Sequence, residues 1–216
     1  MRNSCLGVGG RRYAYLMADT DKLVWIDLEM TGLELDRHVI VEIACVVTDG
    51  NLQPVDDGVS YVVAATAHEL EQMDDFVINM HTTSGLLPEI EQGISVSDAE
   101  QLILTYVQSH VSEARKAPLA GSSVYVDRGF LSKYMPTLDA YLHYRIVDVS
   151  SVKELTRRWF PRVYFASPQK EGNHRALADI FDSIKELAYY RSTVFVQGDG
   201  PDTRTARSIA SDLTTK

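Results

Sequence analysis

The chain has 216 residues, 45% hydrophobic and 24% charged, which is the usage of a folded globular domain with enough chain for one full core. Its net charge of −9 argues against partnership with long duplex nucleic acid, which needs a basic surface to displace counterions, but leaves room for a short polyanion held at a few basic points and through metal ions. Two cysteines, Cys5 and Cys45, make no disulfide framework and fit a reducing cytoplasm. No run reaches the length of about 18 apolar residues that a membrane-spanning helix needs, so no membrane partner is expected.

Residues 1–20 are basic but lack the apolar core of a signal peptide, and are set aside as an N-terminal extension. The strand of consequence follows at Leu23–Gly32, LVWIDLEMTG. An apolar run ends in Asp27 and Glu29, and residues two apart on a strand share a face. Two carboxylates held that close repel by about 1 kcal/mol in water and by several at an effective dielectric of about 20. A hard divalent cation between them offsets that cost. A lone D-x-E at a strand end is more often a pair of solvent-facing acids, so the rest of the chain must decide.

Met30–Leu33 reads as a turn with Gly32 at its awkward dihedral. Val39–Thr48 is near-continuously apolar, as a central strand buried on both faces should be. Asp49-Gly50 is a hairpin signal, and a third strand runs through Val59–Ala64. Residues 69–85 read as a short helix followed by a polar loop. Ser97–Glu100 is a capping-box pattern opening a helix with Ala99, Leu102, Ile103, Tyr106, Val107, His110 and Val111 at helical spacing. Pro118–Gly121 is a fourth strand, and a helix within Val124–Met135 carries Asp127 in its first turns. Arg145–Val149 is a fifth strand. Ser151–Glu154 is a second capping-box pattern, whose helix Pro161 stops. After a polar loop at Gln169–Asn173, Ala176–Tyr190 forms a helix with Leu177, Ile180, Ile184 and Leu187 inward. A domain over residues 21–192 therefore has α/β organisation with a mixed sheet, and the polar tail at 193–216 is expected to be flexible.

Four carboxylates, Asp27, Glu29, Asp127 and Asp179, suffice to hold two divalent ions, the arrangement that stabilises both attacking and leaving oxygens in phosphodiester hydrolysis. His174 precedes Asp179 by five residues, about 500° of helix, so it addresses the same site only from the loop before the helix. There it would serve as general base toward the attacking water, with an ordinary pKa of about 6.5. Taken singly, each group has a blander account: Asp127 as a helix-terminal charge, His174 as a surface or capping histidine, and His81 as a residue without a local motif. Lys153, Arg157, Arg158 and Arg162 read as a solvated helix face.

In order and spacing the five acid and base residues resemble the DEDDh exonucleases and, within them, the oligoribonuclease family. The resemblance runs from Leu23 to Arg191 through WIDLEMTGL at 25–33, MHTTSGL at 80–86, DRGFLSKYMP at 127–136, LHYRIVDVSSVKELTRRWFP at 142–161 and HRALADIFDSIKEL at 174–187. It implies an RNase H-like exonuclease fold, with a five-stranded mixed sheet flanked by helices. It implies a homodimer, two Mg²⁺ or Mn²⁺ ions, and 3′→5′ hydrolysis of short single-stranded RNA, especially dinucleotides, to nucleoside 5′-monophosphates. Asp27, Glu29, Asp127 and Asp179 would be metal ligands and His174 the base. Leu33 would wedge between bases, and Phe76 and His81 would lie beside the 3′ nucleotide. Ser123, Arg145, Ser150 and the partner protomer's copy of Tyr144 would cap the 5′ phosphate, a role that suits an Arg with hydroxyl donors. Two departures stand out: Phe76 replaces the family's usual Trp, and Gly121-Ser122-Ser123 replaces Gly-Asn-Ser, with Tyr125 and Val126 where smaller or polar residues are usual.

Two other readings compete. A proofreading or DNA-trimming relative would bring a polymerase or a more basic surface, and a non-catalytic module would not keep all five acid and base positions.

Overall fold

The structure is a computed structural model that describes residues 21–169, 174–198 and 200–214; the N-terminal extension and residues 170–173 of the expected loop lie outside the described residues. β1 (Leu23–Met30) is the middle strand of a five-stranded sheet. β2 (Ile40–Thr48) and β3 (Val59–Val62) extend it on one side, and β4 (Pro118–Gly121) and β5 (His143–Asp148) on the other. Helices α1 (Ala67–Leu70), α2 (Asp75–Thr83) and α3 (Val96–His110) lie between β3 and β4, and α4 (Tyr125–Tyr134) and α5 (Pro136–Tyr141) between β4 and β5. α6 (Val149–Trp159), α7 (Pro161–Phe165), α8 (Ala176–Thr193) and α9 (Thr203–Thr214) follow.

The first three strands form an antiparallel meander, whereas β4 and β5 run parallel to β1. Short connections serve the meander, and the parallel half needs crossover helices. The expected mixed sheet is present, and β2 is buried at every residue.

Strand alternation decides where the acids of β1 point. Val24, Ile26 and Leu28 enter the core shared with α3, α4 and α5, packing with Ile103, Val107, Phe130, Leu131 and Leu138. Trp25 enters the opposite core, with Ile180, Ile184, Leu187 and Tyr190 of α8. Asp27 and Glu29 continue the Trp25 side of the strand, so they leave the sheet toward α8. Burial at about 25 cal/mol per Å² makes this register costly to slip, because a one-residue shift would exchange the two acids for Ile26 and Leu28.

Local boundaries differ from the sequence reading in several places: β5, expected over Arg145–Val149, runs over His143–Asp148, and β3 ends at Val62 instead of Ala64. Ser95, not Ser97, caps α3, accepting from the Asp98 amide at 3.1 Å. Glu100 instead caps α5 across the fold, accepting from Thr137 N and Leu138 N at 2.7 and 3.0 Å. Asp148, not Ser151, caps α6, because Glu154 is engaged by Arg157 and Arg158. The stretch expected as a polar loop after residue 69 is mostly α2, whose N-terminus is closed by Asp74 accepting from Val77 N at 2.8 Å. The polar tail carries α9, an exposed helix, where no element was expected. Among the described residues no helix is long and apolar enough to cross a membrane.

Candidate active site

The end of β1 is shaped to project side chains. The β1–β2 register breaks between Glu29 and Met30, as a bulge that re-aims the strand. Gly32 follows at φ +153°, where a Cβ would stand 2.5 Å from the His38 ring, so only glycine fits that approach. His38 in turn accepts from the Glu34 amide at 2.9 Å. The result is a loop that leaves Leu33 72% exposed. Across a cleft of about 790 Å³ lined by Glu29, Met30, Leu33, Phe76, Val77 and Met80, α2 presents Phe76, 73% exposed. Two exposed apolar side chains lining one cleft could take the faces of flat ligands.

At the head of that cleft Glu29 meets α8. Ligand atoms of Glu29, His174 and Asp179 all lie within 4.8 Å of one another. His174 is on the loop before α8, with φ +46°, as the helical-angle argument required. Asp127, in the first turn of α4, is buried, and its Oδ1 accepts from the Leu28 amide at 3.0 Å. That bond places it beside the peptide between Asp27 and Glu29. Asp27 itself is half-buried and lies outside the tight Glu29–His174–Asp179 group.

Burial pushes the Glu29 carboxyl up to about 8, with Asp179, Glu42 and Asp127 adding to the shift and Arg175 opposing it. Burial also raises Asp127, against the pull of its backbone hydrogen bonds. Crowded, desolvated carboxylates that hold protons near neutrality are the state a divalent cation relieves. Oxygen donors with one imidazole suit Mg²⁺, Mn²⁺ or Zn²⁺, so the residues present fit a metal centre.

His81 is fully buried. Its Nε2 donates to the Met30 carbonyl at 2.9 Å, leaving Nδ1 as a lone pair 3.9 Å from Glu29 Oε2, without a hydrogen-bond partner among the described residues. Burial lowers its pKa and keeps it neutral. It is thus enclosed next to Met30 and Glu29 and holds the Met30 carbonyl.

Of the residues expected to cap a 5′ phosphate, Ser123 and Ser150 come together, Oγ to Oγ 3.0 Å. Asp148 supports them by accepting from Ser123 N at 2.8 Å and Ser150 N at 3.2 Å. Tyr144 is 75% exposed, and the Arg145 guanidinium lies over its ring, 5.5 Å from the centroid. Arg145 lines a separate basic hollow with Arg115, Lys116 and His143, not the cleft of Leu33 and Phe76. Ser122, which stands where the family has Asn, bonds Ser183 of α8, Oγ to Oγ 2.9 Å.

Sequence reasoning missed Glu42 and Arg175. Glu42 is 1% exposed and stands opposite Glu29 in the β1–β2 ladder; Arg175 bonds it. A glutamate inside an otherwise apolar buried strand was the available signal, since buried charges are almost always paired.

The RNase T exonuclease family model matches residues 24–187. In fold, the chain is similar to Escherichia coli exonuclease I bound to single-stranded DNA in its metal-free form. That match has a TM-score of 0.60 at 12% identity and covers 81% of this chain and 40% of that longer one. The chain is therefore an exonuclease-class hydrolase with the RNase H-like α/β fold. In sequence it is 56% identical over 191 residues to the oligoribonuclease of Streptomyces coelicolor, covering 88% of this chain and 96% of that one. It is 53% identical over 201 residues to that of Leifsonia xyli, covering 93% and 97%, and 50% identical over 194 residues to that of Mycobacterium leprae, covering 89% and 90%. The chain belongs to the oligoribonuclease family.

Proposed function

We propose that this chain, a 3′–5′ exoribonuclease by family, releases nucleoside 5′-monophosphates from short single-stranded oligoribonucleotides and prefers dinucleotides. The observation that carries the reading is the convergence of Glu29, His174 and Asp179 at the head of a cleft flanked by Leu33 and Phe76. Two bases fit a platform with one apolar side chain on each side, and the scissile phosphate then falls beside the acids.

Asp27, Glu29, Asp127 and Asp179 would hold two divalent ions, Mg²⁺ or Mn²⁺, which supply charge stabilisation at the phosphate and acidify water. His174 acts as the general base, receiving the proton of the attacking water from its loop position. Leu33 and Phe76 hold the bases. His81 acts near the 3′ nucleotide through Met30, whose carbonyl it holds. Ser123 and Ser150 receive the 5′ phosphate, and Arg145 turns toward it when Tyr144 of a second protomer closes the end. That homodimer is supported by Tyr144 on the edge strand β5 and by Trp159 and Phe165, both exposed. Residues 21–192 form the catalytic domain, and the buried free thiol of Cys45 fits work in the cytoplasm.

Cleavage of 5′-phosphorylated RNAs two to seven nucleotides long, with Mg²⁺ or Mn²⁺ and alongside Arg145→Ala, tests the reading. The dinucleotide should be cut fastest, and Arg145→Ala should flatten the length dependence. Rates that are flat for the wild type, or equal on DNA, would overturn the cap and leave a general exonuclease.

A further inference from the structure

Arg175 occupies a position that the family reading leaves without a role. Its Nε and Nη2 donate to Glu42 Oε1 at 3.2 and 3.1 Å, and its Nη2 donates to Glu89 Oε2 at 2.9 Å. Glu42 comes from the first half of β2, and Glu89 from the 3₁₀ turn Leu87–Gln92. The guanidinium is therefore a three-way tie between sheet, turn and the entry to α8. Glu42 also accepts from Ser60 Oγ at 3.0 Å and from the Ala176 amide at 3.1 Å. The latter bond caps α8, which has no side-chain cap of its own.

These bonds fix the two residues immediately after His174. The Arg175 carbonyl then accepts from the Asp179 amide at 3.1 Å, so the same anchor sets the first turn that carries Asp179. His174 itself is left-handed, at φ +46°, a conformation that a residue with a Cβ adopts at a cost. Arg175 returns to an extended φ of −125°. With Arg175 and Ala176 held, little but the torsions of His174 remains to decide where its imidazole meets Glu29.

We infer that Arg175, clamped between Glu42 and Glu89, is a positioning residue that holds His174 and the first turn of α8 against Glu29. The inference rests on the reading of His174 as the general base. Arginine is the residue type the geometry demands, because a planar fork can reach two carboxylates at once and a lysine ammonium cannot do so with the same direction. Loss of the clamp displaces the base without removing the cleft, so the chemical step suffers more than substrate binding.

The test is steady-state cleavage of a 5′-phosphorylated RNA dinucleotide by the full chain and its variants, with thermal melting alongside. Arg175→Ala should lower kcat by about 10- to 100-fold with KM changed less than about threefold, and Arg175→Lys should recover part of the loss. In a His174→Ala background, adding Arg175→Ala should cost several-fold less than it does in the wild type, because only its hold on the Asp179 turn remains to be lost. Should Arg175→Ala fail to fold, Glu89→Gln, which alters only the half-exposed end of the clamp, carries the same comparison with a smaller effect. Equal losses from the clamp variants with and without His174 would overturn the inference, as would a rise in KM at constant kcat. A wild type inactive on the dinucleotide would instead remove the functional reading beneath it.

Discussion

The carboxylate of Asp127 accepts a hydrogen bond from the amide of Leu28, the residue between Asp27 and Glu29, at 3.0 Å. One helix-borne acid is thereby fixed to the strand that carries two others. The two jobs of Asp127 separate by substitution. Asp127→Asn keeps an acceptor for the Leu28 amide but removes the charge, so kcat should fall by about 100- to 1,000-fold with stability nearly kept. Asp127→Ala should show the same loss of activity and also cost about 1–3 kcal/mol of stability, because a buried donor loses its partner. Paired activity assays and urea melts distinguish them.

Stability without metal should depend on pH in an unusual direction. Glu29 is raised from 4.5 to about 8, chiefly by burial and then by Asp179, and burial raises Asp127 too. Both groups therefore hold protons in the folded chain at pH values where the unfolded chain has released them. Their contribution is full below the unfolded carboxylate range and is lost as pH rises through about 8. In a chelating buffer Tm should fall by at least about 4 °C between about pH 5 and about pH 9. Added Mg²⁺ or Mn²⁺ should reverse most of that fall, since a ligand that binds only the folded form stabilises it. A Tm that is flat with pH in chelator, or unmoved by either ion, would contradict a metal centre built on Glu29.

Sequence alone placed Asp27, Glu29, Asp127 and Asp179 on their elements because each lies beside a strong periodic signal, and it put His174 on a loop from helical geometry. The helix starts were less legible for a physical reason. Ser95 and Ser97 each begin a plausible capping frame, and the choice between them was made far away, where the α5 amides needed Glu100. The same holds at α6, where Glu154 was drawn off by two arginines and Asp148 took the cap. The Glu42–Arg175 pair was invisible because 133 residues separate its members, and no local pattern announces a partner at that distance. His81 was found only through its motif, and only packing shows that its ring is buried beside Met30.

Phe76 and Leu33 flank the cleft from α2 and from the turn after β1, both largely exposed. Base–aromatic stacking contributes about 1–3 kcal/mol per base, so Phe76→Ala should raise KM for a dinucleotide by about tenfold or more with a smaller change in kcat. Phe76→Trp offers a larger face and should lower KM. Leu33→Ala should weaken binding as well, without altering melting, because its side chain buries little in the fold. Fluorescence titration with a non-hydrolysable dinucleotide measures both effects free of chemistry.

Ser122 bonds Ser183 of α8, Oγ to Oγ 2.9 Å, and so links the segment after β4 to the helix that carries Asp179. Where the family resemblance leads one to expect Asn, this chain makes the link with a pair of hydroxyls. Because Ser183 is buried, the bond should be worth about 1 kcal/mol, the net value typical of a protein hydrogen bond. Ser122→Ala and Ser183→Ala should each lower stability by about that amount, and the double variant should lose less than the sum of the two, giving a coupling of about 0.5–1 kcal/mol. Dinucleotide kcat should change by less than about threefold in all three, since the link meets α8 about one turn beyond Asp179 and acts there only through the backbone. A larger kcat loss in Ser122→Ala than in Ser183→Ala would mean that Ser122 also serves the site directly.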